Sequence, residues 1–260
     1  MLSAAKAAVV PTREVSLRSD PEPSMVMPPA PAFITQEPYV LGFDISHHQV
    51  VVEFEAMFEQ GYRFCFLKAT EGNTFRDKMF ANHAHRAHQA GLHIGAYHFA
   101  RVRRDDDVSF LDQGIRQARF CAKTVRESVP KGCAILPIVL DVEWHDSLKT
   151  GKILPPELIT FISAFNLEIE RLGFSEIIVY TGPSFYKQYI KRPLTYKLWL
   201  VSGYNRKFKP TKVIPDWNAN FYQFYNKQPV PHRNTDRGLN IDVNVFYGTE
   251  TDLAGLLRQV

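Results

Sequence analysis

From Tyr39 onward, short apolar runs alternate with longer segments whose apolar residues recur at helical spacing. Tyr39-Val-Leu-Gly-Phe-Asp-Ile45 predicts a first strand, and a helix over 52–60 follows, closed by Gly61. Strands are predicted at 62–69 and 93–99, separated by a helix over 76–90 that Gly91 stops. A long helix over 108–128 leads to Leu136-Pro-Ile-Val-Leu-Asp-Val-Glu-Trp144. This apolar, β-branched run ends in acids and reads as a strand buried on both faces. Pro155-Pro156 opens a helix reaching about Leu172; a strand at 176–180 and a short helix at 184–190 come next. Strands at 197–202, 220–225 and 240–245 complete the series, the last two without a helix between them.

Alternation of strand and helix implies a mostly parallel sheet. About eight strands with five or so helices fit an α/β fold, an irregular TIM-like (β/α) barrel with a degenerate second half. The C-terminal strand ends of such a barrel face the active site, which places Asp44, Glu71, Tyr97, Asp141, Glu143, Tyr180 and Ser202 near one mouth. Residues 1–38 have a different texture, with prolines at 11, 21, 23, 28, 29, 31 and 38, and are expected to be a flexible leader before a barrel over 39–260. The apolar run before Pro11 is too short for a secretory signal or a membrane span, so neither is expected.

The candidate chemistry sits in the central run. Side chains alternate along a strand, so Asp141 and Glu143 should project to one side, roughly 6.6 Å apart at two residues of rise. Burying carboxylates costs hydration, and a structural ion pair with Lys or Arg is the plain alternative. If Asp141 stays ionised, its charge and partial burial should raise the pKa of Glu143 and leave a proton donor beside an anion, the pair that glycosidic cleavage uses.

Charge and cysteines change this picture little. The net charge of +4 on 260 residues comes from scattered Lys and Arg, which suits mild attraction to anionic polymers, bacterial wall included, and does not indicate nucleic acid. Cys65, Cys121 and Cys133 form no CxxC and read as buried thiols. His83, His85 and His88 read as a solvated helical face rather than a metal site, so no metal or cofactor is expected.

Eight pieces in order resemble the family 25 glycoside hydrolases, the Chalaropsis-type lysozymes: Gly42-Phe-Asp-Ile-Ser-His-His-Gln49, Phe66-Leu-Lys-Ala-Thr-Glu-Gly72, Ala90-Gly-Leu-His-Ile-Gly-Ala-Tyr-His-Phe99, Leu136-Pro-Ile-Val-Leu-Asp-Val-Glu143, Val179-Tyr-Thr-Gly182, Leu198-Trp-Leu-Val201, Tyr222-Gln-Phe224 and Ile241-Asp-Val-Asn244. The resemblance implies cleavage of the β-1,4 bond between N-acetylmuramic acid and N-acetylglucosamine. It makes Glu143 the general acid, Asp141 its partner carboxylate, and Asp44 and Asp242 the other acids of the site. Asp141 then either attacks the anomeric carbon or orients the 2-acetamido group of the substrate to do so. Tyr97, Tyr180, Trp199 and Tyr222 are candidate sugar-stacking residues and Gln223 a candidate acetamido ligand.

The expected partner is bacterial peptidoglycan, met by a monomer in the periplasm or outside the cell. Delivery would run through lysis, a holin or a dedicated secretion system, and the leader is a handle for a secretion or immunity partner. Phage endolysin and antibacterial effector are both open. The rival functions are a chitinase-like glycosidase and a non-catalytic wall-binding module.

Overall fold

The structure, a computed structural model, describes residues 38–104, 107–145, 148, 153–190, 195–201, 219–229 and 240–260, of which 224–229 and 240 are described by backbone alone. The leader before Pro38 and the mouth position expected for Ser202 lie outside the described residues.

Among the described residues, eight strands close into a barrel: β1 (Tyr39–Ile45), β2 (Tyr62–Glu71), β3 (His93–Phe99), β4 (Val139–Asp141), β5 (Ile178–Thr181), β6 (Lys197–Val201), β7 (Ala219–Pro229) and β8 (Asn240–Tyr247). Neighbours from β1 to β7 pair in parallel, and β8 closes the ring antiparallel to both β7 and β1. Antiparallel strands need no helical crossover, so β7 can lead to β8 without one. Around the barrel run α1 (Phe54–Glu59), α2 (Phe80–Gln89), α3 (Phe110–Ser128), α4 (Pro155–Arg171), α5 (Pro183–Phe185), which continues into a π-helical turn at Tyr186–Ile190, and α6 (Glu250–Ala254).

The helix ends follow from local chemistry. The Ser109 hydroxyl caps α3 by accepting the Asp112 N–H at 3.0 Å, and two prolines start α4 where their missing N–H groups are no loss. Gly114 lets α3 and α4 touch, since a Cβ there would stand 2.5 Å from the Phe161 carbonyl.

The central strand is shorter than its apolar run suggests. Pro137 has no N–H to give the ladder, so regular pairing begins only at Val139, although the Leu136 N–H still reaches the Ile94 carbonyl at 2.9 Å. Upstream, Ala134–Ile135 pairs instead with Arg258–Gln259 near the C-terminus.

Period-two alternation sorts the strand residues into two cores. Phe43, Ile45, Cys65, Leu67, Ile94, Leu140 and Val179 face outward against the helices. Val40, Phe64, Phe66, Val139, Ile178, Trp199, Phe221 and Phe246 belong to the inner core. There Phe66 stacks within 4.7 Å of Trp199, and the Phe221 ring lies within 5.5 Å of Phe66 and 4.9 Å of Phe246. The interior is therefore a solid plug of rings.

Two glycines make the room. A Cβ on Gly42 would fall 2.3 Å from the Phe64 ring, and one on Gly95 would fall 2.4 Å from the Phe66 ring, which Trp199 and Phe221 prevent from moving aside. Gly95→Ala is expected to destabilise the fold by about 1–3 kcal/mol through overpacking, read as a lower urea midpoint at unchanged m-value. An unshifted midpoint would mean that the plug yields.

Candidate active site

The same alternation that packs the plug delivers polar side chains to the mouth above it, where the parallel strands end and the antiparallel β8 begins. Asp44 on β1, Lys68 on β2, Tyr97 and Phe99 on β3, Asp141 on β4, Tyr180 on β5, Trp199 on β6, Gln223 on β7 and Asp242 on β8 line one cleft of about 240 Å³. Glu143, Ser46 and His48 complete its lining. The ladder holds the chain around Asp141 firmly: the Ala100 N–H donates to the Asp141 carbonyl, and the Val142 N–H to the Tyr180 carbonyl, each at 2.9 Å. Val142 turns outward into the core, so Glu143 faces the cleft like Asp141.

Asp44 sits at the meeting point of two hydrogen-bond relays. The Tyr180 hydroxyl donates to the Gln223 carbonyl oxygen at 2.7 Å, and the Gln223 amide donates to Asp44 Oδ2 at 2.7 Å. On the other side the Trp199 indole N–H donates to Asn244 Oδ1 at 3.0 Å, and the Asn244 amide donates to the same Asp44 oxygen at 2.9 Å. The indole N–H can only donate, which orients the Asn244 amide with its N–H toward Asp44; the Tyr180 hydroxyl donates to Gln223 in the matching sense. Asp44 and Asp242 face each other across the β1–β8 ladder, an arrangement in which two negative charges repel. The β7–β8 register breaks between Ile241 and Val243, at Asp242 itself.

Four carboxyl groups over an apolar plug cannot all ionise cheaply. Burial, then the charge of Asp242, pushes Asp44 up to about 8 despite its amide donors. Burial and Glu143 hold Asp141 well above the usual carboxylate range. Glu143 and Asp242 are raised by burial as well; for Glu143 the nearby Lys68 and Arg101 oppose the shift. Burial thus raises both members of the pair, Asp141 as well as the Glu143 expected from the sequence. Asp141 is 7% exposed and no donor among the described residues reaches its buried Oδ1, so its charged form is the worse solvated of the two.

The cation in this lining is Lys68. Its ammonium bonds Glu71 Oε2 at 2.7 Å, and Arg101 holds Oε1 of the same Glu71 at 2.6 Å. Lys68 therefore both pairs internally and lines the cleft. At the β1 exit, Asp77 accepts the His47 backbone N–H at 2.9 Å and contacts its ring Nδ1 at 2.8 Å, which fixes the loop carrying His48.

Of the residues singled out from the sequence, Asp44, Tyr97, Asp141, Glu143, Tyr180, Trp199, Gln223 and Asp242 converge on the cleft. Tyr222 does not. Its neighbours Phe221 and Gln223 point into the barrel, so Tyr222 points out, into the helical core, with its ring 5.3 Å from Tyr247. Trp199 is 2% exposed, with its indole N–H already committed, and presents little face to a sugar. His83 is buried edge-on against Phe54 rather than solvated, while His85 and His88 are exposed. Asn244 escaped sequence reasoning, although its position two residues beyond Asp242 on a strand marks the same face.

Eight strands in an α/β barrel thus gather several carboxyl groups at one mouth, the paired-acid arrangement that barrel glycoside hydrolases use. The sequence matches the model for glycosyl hydrolases family 25 over residues 43–232, and the chain belongs to that family. It is 41% identical over 152 residues to the N,O-diacetylmuramidase of Chalaropsis sp, covering 56% of this chain and 68% of that one. It is 28% identical over 148 residues to lysozyme M1 of Streptomyces globisporus, covering 56% and 48%, so the match spans about half of that relative's length. Among solved structures, a family GH25 lysozyme from Aspergillus fumigatus superposes with a TM-score of 0.66 at 28% identity, over 84% of this chain and 99% of that one. A family 25 glycosyl hydrolase from Bacillus anthracis gives 0.64 at 26%, over 83% and 92%.

The Asp44 shift has a consequence for stability. Its folded pKa of about 8 lies above the ordinary 3.8, so between those values the folded state holds a proton the unfolded state has released. Its contribution is then fully present below the ordinary value and is lost as pH rises toward 8. Unfolding midpoints measured from pH 4 to pH 8 should decline for the wild type and decline less steeply for Asp44→Asn. Equal slopes would assign the dependence to other groups.

Proposed function

We propose that the protein hydrolyses the β-1,4 bond between N-acetylmuramic acid and N-acetylglucosamine in peptidoglycan, with Glu143 as general acid. The observation that carries this reading is the pairing in one cleft of a partly buried Glu143, its pKa raised, with a deeper Asp141 whose Oδ1 has no donor among the described residues. Glu143 protonates the leaving glycosidic oxygen and then takes a proton from the incoming water. Lys68 and Arg101 hold its pKa back from rising further, so that it can surrender the proton.

For Asp141, the unfilled Oδ1 favours the orienting role over direct attack. An N–H from the 2-acetamido group would satisfy that buried acceptor and turn the acetamido oxygen toward the anomeric carbon. The Tyr180–Gln223 and Trp199–Asn244 relays hold Asp44 still at the wall of the cleft, where it and Asp242 can hydrogen-bond the substrate. Tyr97, raised far above the ordinary phenol range by burial and the carboxyls around it, stays neutral and offers a hydroxyl to substrate. The substrate places the working protein at the bacterial wall, outside the cytoplasm, and no helix of the described residues is long and apolar enough to cross a membrane. The proline-rich residues 1–38 are where a secretion or immunity partner would engage.

Glu143→Gln should lower clearing of purified walls by at least about 100-fold, the lower end of what general acid–base catalysis contributes, while the circular dichroism of the fold is retained. Substantial residual activity would move the acid elsewhere. For the wild type, mass spectrometry of the digest should find N-acetylmuramic acid at the new reducing ends. Reducing ends released from chitin and not from walls would turn the assignment to a chitinase-like enzyme, and wall binding without release to a binding module. Activity should also fall as pH climbs through the raised pKa of Glu143, because the proton to be donated is then lost; a rate that keeps rising into the alkaline range would contradict that role.

A further inference from the structure

A second cavity, of about 570 Å³, opens beside the cleft, between the loops leaving β2 and β3 and the start of α3. Among the described residues its charged lining is Arg101, Arg103 and Arg116 against the acid Glu71. Glu71 is already held by two cations, Lys68 at 2.7 Å and Arg101 at 2.6 Å, so the cavity keeps a positive balance. Burial would raise the Glu71 carboxyl, but these two partners bring it below the usual range, and it remains an anion that cancels only one of them.

The two cavities share a wall. Lys68 and Phe99 line the cleft; the Lys68 ammonium lies 5.5 Å from the Phe75 ring and 5.1 Å from the Phe99 ring, and the Arg101 guanidinium lies 4.6 Å from Phe99 on its far side. Phe75 itself is 41% exposed and faces the second cavity. The floor is built rather than loose. Gln113 on α3 accepts the Arg103 N–H at 3.0 Å and donates to the Arg103 carbonyl at 2.8 Å, which clamps the loop that carries Arg103.

A linear, neutral glycan threading the cleft has no use for a cationic side pocket. A muramic acid residue does, because its lactyl ether carries a short peptide stem ending in carboxylates, and two or three extended residues reach about 7–11 Å from the sugar. We propose that this side pocket binds the carboxylates of the peptide stem, making the protein selective for peptide-bearing glycan. The proposal rests on the muramidase reading above and adds to it a recognition site outside the carboxyl cluster. Arg103 and Arg116 supply the charge, and Phe75 packs against the stem's aliphatic part.

Calorimetric titration with the free tripeptide L-alanyl-γ-D-glutamyl-L-lysine tests the pocket without turnover. The full-length wild type should bind it, with affinity falling as salt is raised, and Arg103→Gln/Arg116→Gln should bind roughly tenfold more weakly. No binding by the wild type, equal binding by the double variant, or equal affinity for inorganic phosphate would overturn the assignment. A second measurement compares kcat/KM on peptide-bearing strands with kcat/KM on the same strands stripped of stems by an amidase. The ratio should fall about tenfold in the double variant. An unchanged ratio overturns the pocket. A wild type that cleaves neither substrate overturns the muramidase reading instead, and the titration still judges the pocket.

Discussion

The structure depends on a barrel interior filled with rings up to the level of the carboxyl groups. Phe64, Phe66, Trp199, Phe221 and Phe246 present apolar rings beneath Asp44 and Asp141, so polar surroundings reach these acids from the cleft side and from their hydrogen-bond partners. That one-sided solvation raises all four carboxyl pKa values in the same direction, and it ties the acidity of the site to the packing of the core. Gly42 and Gly95 belong to this arrangement even though neither touches the cleft, since the rings stand where their side chains would be.

The cost of those buried acids is offset unequally. Asp44 Oδ2 receives two amide donors, of which Asn244 is fixed from behind by an indole N–H and Gln223 accepts a phenol hydroxyl. At Asp141 no donor among the described residues reaches Oδ1. The contrast divides the cluster into an end at β1 and β8 whose acid is held by amide donors and an end at β4 whose acid is not. Lys68 stands at the β4 end, and through Glu71 and Arg101 it connects that end to the arginine-lined cavity next door.

Closing the barrel with an antiparallel strand is what brings the β1 and β8 end together. Because β8 returns beside β1, Asp242 lies across from Asp44, and Asn244 reaches Asp44 and Trp199 at once. A parallel eighth strand preceded by a helix would present its C-terminal end at this mouth in the opposite sense. The register break at Asp242 lies where the strand has to serve both neighbours.

Strand-by-strand periodicity in the sequence was enough to determine the barrel class, the order of its elements, and the inward facing of Asp44, Asp141 and Asp242, since alternation along a strand is local geometry. It also contained the evidence against Tyr222, whose neighbour Gln223 was placed in the cleft; adjacent strand residues cannot share a face. Tertiary structure alone decided the rest. The protonation preference of Asp141 depends on how completely the plug and Tyr180 exclude water from it, the start of β4 on where Ile94 and Ile178 lie relative to Pro137, and the partner of Lys68 on two loops meeting in space. Solvation, ladder register across strands and long-range charge pairing arise between segments far apart in the chain, and no pattern within one segment encodes them.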